Sequence, residues 1–352
     1  MGYFRHMMPN LELVSRLFRE QNPKTIYFHA MNNLRNNLFN PASESDGLII
    51  PNSIYIEPTL ICSRRCTDCY PANLGEKSRI EEKTAHHAFE TAEEMGINYV
   101  AMLGGEPLLP YVRDLTLDVI KEHKDVAVVL CTNGDFLDEK VADRLADMHN
   151  TATFLSIDGF KEKNDRRRGN GSYENATKSM SYLRERKALI GHSSTITSQN
   201  YEEITEELFM DSMIDRGSMM GSYVLFISNK DHELQPSPEQ FAQAISNLNT
   251  YGKTKGLYFL SAEFGRLKGN KVMKGKRLIA LTVDPFGNVR TERGGDHIAQ
   301  INGRTTLTDI IKSERVQKIF ARKLDGSTNG PEDGKRREIR DQAQQIINDS
   351  LQ

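Results

Sequence analysis

Six runs rich in aliphatic, β-branched and aromatic residues, at 53–60, 98–103, 126–131, 151–157, 193–197 and 223–227, alternate along this chain with segments of helical periodicity. Residues 138–149 and 173–187 space their apolar residues as one helix face does. Ser78-Arg79-Ile80-Glu81 reads as a capping box that opens a helix closed by Gly96. Strands that alternate with helices pair in parallel through right-handed crossovers, so the fold class is α/β, either a partial barrel or an open doubly wound sheet. With 352 residues and 38% hydrophobic content, the chain can bury the core of one large domain and carry an addition.

The rhythm occupies residues 51–235. Before it, 1–50 read as a helical lead-in, with Leu11, Leu13, Val14, Leu17 and Phe18 as its apolar stripe. After it, Ser237-Pro238-Glu239-Gln240 starts a helix with proline in its first turn. Two strand-like runs then flank Asp284-Pro285-Phe286-Gly287, a hairpin signal, and a helix follows at about 307–320. Residues 236–323 thus form a small α+β appendage, and the charged tail at 324–352 is expected to be loosely ordered apart from a possible final helix. A net charge of −2 gives no global field for nucleic acid or an acidic membrane. No run of 18 apolar residues and no secretory signal is present, which points to the cytoplasm and against a membrane span.

Several turns carry more chemistry than a connector needs. Ile61-Cys62-Ser63-Arg64-Arg65-Cys66-Thr67-Asp68-Cys69 follows the first strand, Gly104-Gly105-Glu106-Pro107 the second, Thr132-Asn133-Gly134 the third and Asp158-Gly159 the fourth. In a parallel α/β sheet these C-terminal ends share one rim, where loops gather ligands. Each turn alone is an ordinary dipeptide signal; their joint placement beside three cysteines makes a site.

Three clustered cysteines do not make a disulfide framework in a chain of this size. Structural zinc wants four ligands, and the fourth would have to come from His86, His87 or Cys131. An iron–sulfur cluster held by three thiolates would instead keep one iron open to an exogenous ligand, which is a catalytic feature.

The spacing Cys62-x3-Cys66-x2-Cys69, followed in order by Gly104-Gly105-Glu106-Pro107, Thr132-Asn133-Gly134 and Ser156-Ile157-Asp158-Gly159, resembles the radical S-adenosylmethionine (SAM) enzymes over roughly residues 51–230. The resemblance implies a partial (β/α)6 barrel, one 4Fe-4S cluster on Cys62, Cys66 and Cys69, and SAM on the open iron. It implies SAM cleavage to a 5′-deoxyadenosyl radical that takes hydrogen from a substrate C–H bond, with an electron donor such as flavodoxin or ferredoxin. Gly104, Gly105 and Glu106 match the segment that meets the methionine amino group, and Ser156 matches a SAM-contacting position. Arg168 falls where many members grip the SAM carboxylate, and Asn133 and Asp158 stand at the SAM rim. Many members place an aromatic residue just before the third cysteine; here that position is Asp68, with Tyr70 just after.

The region around the hairpin resembles the SPASM or Twitch regions that bind auxiliary clusters in many members, but no cysteine follows Cys131. One cluster in total is expected, with redox-neutral outcomes favoured. Cys131 itself is either a small buried hydrophobe or, as in epimerases of the family, a hydrogen donor facing the substrate. The segment 268–277 carries five basic residues in ten and suits a solvated loop or a phosphate handle. A small-molecule substrate of sugar, nucleoside or lipid type is the expectation, with a peptide as the alternative.

Overall fold

Successive side chains along each strand point to opposite faces of one sheet, and in Thr151–Ser156 both faces are buried. The computed structural model describes residues 19–38, 44–45, 47–69, 78–97, 99–228, 232–255, 258–260, 267–268, 271–272, 279–291, 296–325 and 331–349. Six parallel strands form the barrel: β1 (Ser53–Ile56), β2 (Tyr99–Met102), β3 (Val128–Thr132), β4 (Thr151–Ser156), β5 (Leu189–Ile196) and β6 (Ser218–Leu225). Crossover helices include α2 (Glu82–Met95), α3 (Pro110–Glu122), α4 (Glu139–Ala146), α5 (Lys161–Arg168), α6 (Ser172–Glu185), α7 (Tyr201–Thr205) and α8 (Glu207–Asp215), behind a leading α1 (Pro23–Leu38). This is the expected partial barrel of α/β class.

The sheet extends beyond six strands at both edges. After α9 (Pro238–Lys255), β7 (Tyr258–Leu260) joins β6 in parallel. At the other edge β8 (Ala280–Val283) lies parallel to β1, and β9 (Asn288–Arg290) and β10 (His297–Gln300) follow antiparallel, in the order β10-β9-β8-β1-β2-β3-β4-β5-β6-β7. The hairpin expected at Asp284 is therefore continuous with the barrel. Asp284 Oδ1 accepts from the backbone N–H groups of Phe286 and Asn288, both at 2.9 Å, and Gly287 takes the left-handed φ of 77° that the turn needs.

Ile54, Ile56, Val100, Met102, Val128, Leu130 and Leu155 face outward into the main core, packed with Phe89, Val112, Leu117 and Ile120 of the helices. A second, smaller cluster of Ala152, Phe154, Leu189 and Met219, with Val129, Cys131 and Met220 against it, occupies the concave face. The convex face at the hairpin is covered by α10 (Leu307–Lys312) and α11 (Glu314–Asp325), which supply Leu307, Ile310, Val316 and Phe320.

Several local expectations are corrected. β5 and β6 begin earlier than the 193–197 and 223–227 runs suggest, because Gly191 and Gly221 sit inside them. A Cβ at Gly191 would lie 2.7 Å from the Phe154 ring, and one at Gly221 2.8 Å from His192, so these glycines give room to neighbouring rings rather than end a strand. The helix expected at 307–320 is two helices, broken at Ser313. The possible final helix of the tail does form, as α12 (Pro331–Asp349), and it buries Ile339, Ala343 and Ile347. Ser78 does not cap α2, whose N-cap is Glu81 without a side-chain bond; its hydroxyl accepts from the Leu60 N–H at 3.1 Å instead. Gly96 does close α2, with a φ of 64°. The reciprocal box forms at α9, where Ser237 and Gln240 exchange side-chain and backbone bonds. The 11–18 stripe, Tyr70 and most of 268–277 lie outside the described residues.

Candidate active site

The cysteine loop leaves the C-terminal end of β1, and three other strand ends hold it. Against its stem lie Gly104 and Gly105, which follow β2. The Gly105 N–H donates to the Thr59 carbonyl and the Glu106 N–H to the Ile61 carbonyl, each at 2.8 Å. A Cβ on Gly105 would fall 1.9 Å from the Ile61 oxygen, and one on Gly104 2.5 Å from the Thr59 oxygen. The pair is glycine because the loop's backbone rests directly on it.

Glu106 is fully buried. Its carboxyl accepts from the Thr132 hydroxyl at 2.7 Å, the Asn133 N–H at 2.8 Å and the Leu108 N–H at 3.0 Å, which ties the end of β2 to the end of β3. Burial pushes its pKa up to about 7, against the partial relief of those hydrogen bonds.

From β3, Asn133 reaches the loop: its Nδ2 donates to the Cys62 sulfur at 3.5 Å and to the Ser63 hydroxyl at 3.1 Å. The Arg64 N–H also points at that sulfur, 3.4 Å away. Asp135, two residues on, accepts from the Ser63 hydroxyl at 2.6 Å, from Arg64 Nε at 3.0 Å and from Asn175 Nδ2 at 2.9 Å. Burial raises the Asp135 pKa, but these bonds and the Arg64 charge outweigh it and the net shift is downward.

From β4 comes a second buried carboxyl. Asp158 is 1% exposed and accepts from Arg167, from Arg168 Nε at 2.6 Å and Nη2 at 3.2 Å, and from the Thr195 N–H at 2.7 Å. Burial pushes it up, the two guanidinium charges pull it down harder, and it settles at about 2. Arg168 is itself held more firmly protonated by Asp158 and by the neighbouring Cys66 and Cys69. The end of α5 also grips the loop through its backbone: Thr67 N–H donates to the Arg167 carbonyl at 2.9 Å, and Arg64 Nη1 to the carbonyls of Gly169 and Asn170.

The three thiols are partly exposed, and a turn from the Cys69 N–H to the Cys66 carbonyl links two of them. Burial raises Cys62 to about 11 and also raises Cys66, which Arg168 partly offsets. Bound metal is what ionises such thiols. Among the described residues no three His, Cys, Asp or Glu side chains converge on one ion. Zinc would need its sulfurs gathered at about 2.3 Å around one point, whereas a cluster takes each thiolate on a different iron.

Gly104, Gly105, Glu106, Asn133, Asp158 and Arg168 thus lie around the loop. Glu106 and Asp158 turn their carboxyls into the protein as anchors, and Ser156 is partly exposed at the end of β4. Cys131 stands on the concave face against the Phe154 cluster, where alternation along β3 puts it opposite Leu130. His86 is a helix-surface residue bonded to His123 at 3.0 Å, and His87 pairs with Glu90; neither approaches the loop. Sequence reasoning missed Asp135 and Arg64, whose roles depend on a contact between distant strand ends, and it had no role for Arg167. Asp68 takes a left-handed φ of 52° and forms an ion pair with His232, whose ring packs on Phe226 at the end of β6.

Residues 56–209 match the family profile described as the radical SAM superfamily. Pre-heme d1 synthase of Dinoroseobacter shibae is 33% identical over 153 residues, which cover 42% of this chain and only 37% of that protein. Among solved structures, Streptococcus suis SuiB bound to precursor peptide SuiA aligns with a TM-score of 0.63 at 16% identity, covering 82% of this chain and 69% of that one. Native anSMEcpe with bound AdoMet and Cp18Cys peptide aligns at 0.62 and 16%, covering 77% and 83%. These likenesses establish the fold, and nothing among the described residues sets the C-terminal region apart as a SPASM or Twitch region. No helix of the described residues is long and apolar enough to cross a membrane. Residues 56–209 thus match the radical SAM superfamily, within a fold like that of these solved structures.

Proposed function

We propose that the chain binds one 4Fe-4S cluster through Cys62, Cys66 and Cys69, and SAM beside it, and abstracts hydrogen from a peptide substrate. The observation that carries the reading is the cysteine loop itself, pinned by the ends of β2, β3 and α5 with Asn133 and Arg64 aimed at the Cys62 sulfur. Cys62, Cys66 and Cys69 would hold the cluster, which would supply the electron for reductive cleavage of SAM. The protein's part is to hold the loop, orient SAM and exclude water. Arg168, locked by Asp158, presents its guanidinium edge to the SAM carboxylate, a planar partner it suits. Gly104 and Gly105 leave backbone exposed to the methionine amino group, and Asn133 and Ser156 line the rim.

The peptide reading is supported by two solved neighbours that hold bound peptides, SuiB and anSMEcpe, and by a long concave sheet face extended by β7 and β8. A small-molecule substrate is the second reading, favoured by the name of the sequence relative. Cys131, on the concave face, is placed to return a hydrogen atom to a substrate radical in a redox-neutral reaction. An acidic one-electron carrier of the flavodoxin or ferredoxin type would supply the electron.

Anaerobically reconstituted protein should take up about four irons per chain. With SAM and dithionite it should form 5′-deoxyadenosine, and Cys66→Ala should form none. One zinc per chain with no iron uptake would sink the proposal. Cys131→Ala retaining full turnover would remove it as the donor.

A further inference from the structure

The cysteine loop has ties of two kinds. Those to the end of β2 and to α5 run through backbone, at Gly105, Glu106 and Thr67. The tie to the far side of the barrel is one pair of side chains, the Asp68 carboxylate and the His232 ring, both partly exposed. Four strands lie between β1 and β6 in the sheet, and a strand spacing of about 4.8 Å puts their ends about 24 Å apart along it. Residues that follow those two ends meet because the sheet curls, and their contact spans the mouth of its concave face. Both sides are held for it. His232 Nδ1 accepts from the Leu234 N–H at 3.1 Å, which leaves Nε2 to donate to Asp68. Gln235 Nε2 donates to the Phe226 carbonyl at 2.9 Å and the Ser198 N–H to the Leu234 carbonyl at 3.0 Å, so His232 stands on a segment anchored to the ends of β5 and β6. Asp68 takes its φ of 52°, a conformation that residues other than glycine avoid. Under this span the concave face still reaches solvent: Ser156, Ser193 and Ser222 stand level on β4, β5 and β6 and are partly exposed, as is Cys131 on β3.

We propose that Asp68 and His232 form a latch across the barrel mouth, closed as it stands and opened to admit a peptide to the concave face. The inference rests on the peptide reading, because a peptide needs a wider entry than a small molecule does. A gate has to be the weakest of the ties around it, and a partly exposed ion pair is weak. When it lets go, the loop keeps its backbone bonds to β2 and α5, and the thiols keep their support.

Cys131, on the concave face, reports the opening. The probes are iodoacetamide and an uncharged octapeptide that carries an N-terminal maleimide. Each is added anaerobically to the reconstituted protein, and labelling of Cys131 is followed by site-resolved mass spectrometry. The peptide maleimide should label the wild type slowly. His232→Ala should speed that labelling about threefold, within the worth of a partly exposed ion pair. Asp68→Gly, which accepts the left-handed φ, should do the same. The double variant should be no faster than either single one, because both remove the same contact. Iodoacetamide, small enough to pass the closed mouth, should label wild type and variants at similar rates. Equal peptide labelling in wild type and His232→Ala would overturn the latch. So would effects that multiply in the double variant, or an equal gain with iodoacetamide, which would mean a general loosening. Labelling needs no turnover and decides the latch alone, whereas the peptide reading stands or falls on whether added peptide is turned over.

Discussion

Glu106 and Asp158 are both carboxyls, both buried, and both follow barrel strands that flank the one carrying Asn133. Their surroundings drive them apart. Glu106 meets only neutral donors, the Thr132 hydroxyl and two backbone N–H groups, and burial lifts it to about 7. Asp158 meets two guanidinium groups and falls to about 2. Neutral hydrogen bonds do not offset the cost of burying a charge, whereas two opposite charges do. The cysteine loop is thus held on one side by a carboxyl poised to be neutral and on the other by one that is always ionised.

Asp158→Asn tests the charged side most severely. It strands Arg167 and Arg168 without their counter-charge, and should cost about 3–5 kcal/mol of stability by urea denaturation. Iron retention should fall with it, since the Arg167 carbonyl holds Thr67.

The pH dependence tests the asymmetry itself. Because the folded pKa of Glu106 lies above its unfolded value, its stabilising contribution is full below about 4.5 and is lost as pH rises through about 7. The loss is about 3 kcal/mol. Asp158 runs the other way: its pKa is depressed, so its contribution is present above about 3.8 and disappears as pH falls through about 2. Unfolding free energy should decline from pH 4.5 to about 7 and level off above it, and Glu106→Gln should flatten that decline.

At pH 7 Glu106→Gln should itself cost only about 1 kcal/mol, because glutamine resembles the protonated acid and forfeits one hydrogen bond. The smallest effect should come from His232→Ala. Its ion pair with Asp68 is partly exposed, with side-chain exposures of 25% and 42%, so the stability change should stay below about 1 kcal/mol and shrink with added salt.

The barrel and its rim were legible in the sequence because strand periodicity and strand-end turns are local signals. The three cysteines, the glycine pair and Asn133 were found that way, and Arg168 through the family resemblance. The hub at Asp135 was not, because nothing near it in the chain announces Ser63 or Arg64. The strands β7 and β8 were missed as parts of the barrel for the same reason, since edge pairing depends on partners far along the chain. The early starts of β5 and β6 were missed too, at Gly191 and Gly221, which mark places where Phe154 and His192 need space.

The pairing of β8 with β1 has a consequence for assembly. Ser53 finds its partner in Ala280, so the strand that launches the cysteine loop keeps an open edge until the C-terminal third has been synthesised and folded. Loop-closure entropy makes this contact late, and the thiols of a nascent chain stand on an unfinished support. The support of the cysteine loop is therefore complete only once β8 has paired, and a chain interrupted before β8 should expose both a sticky strand and three unguarded cysteines.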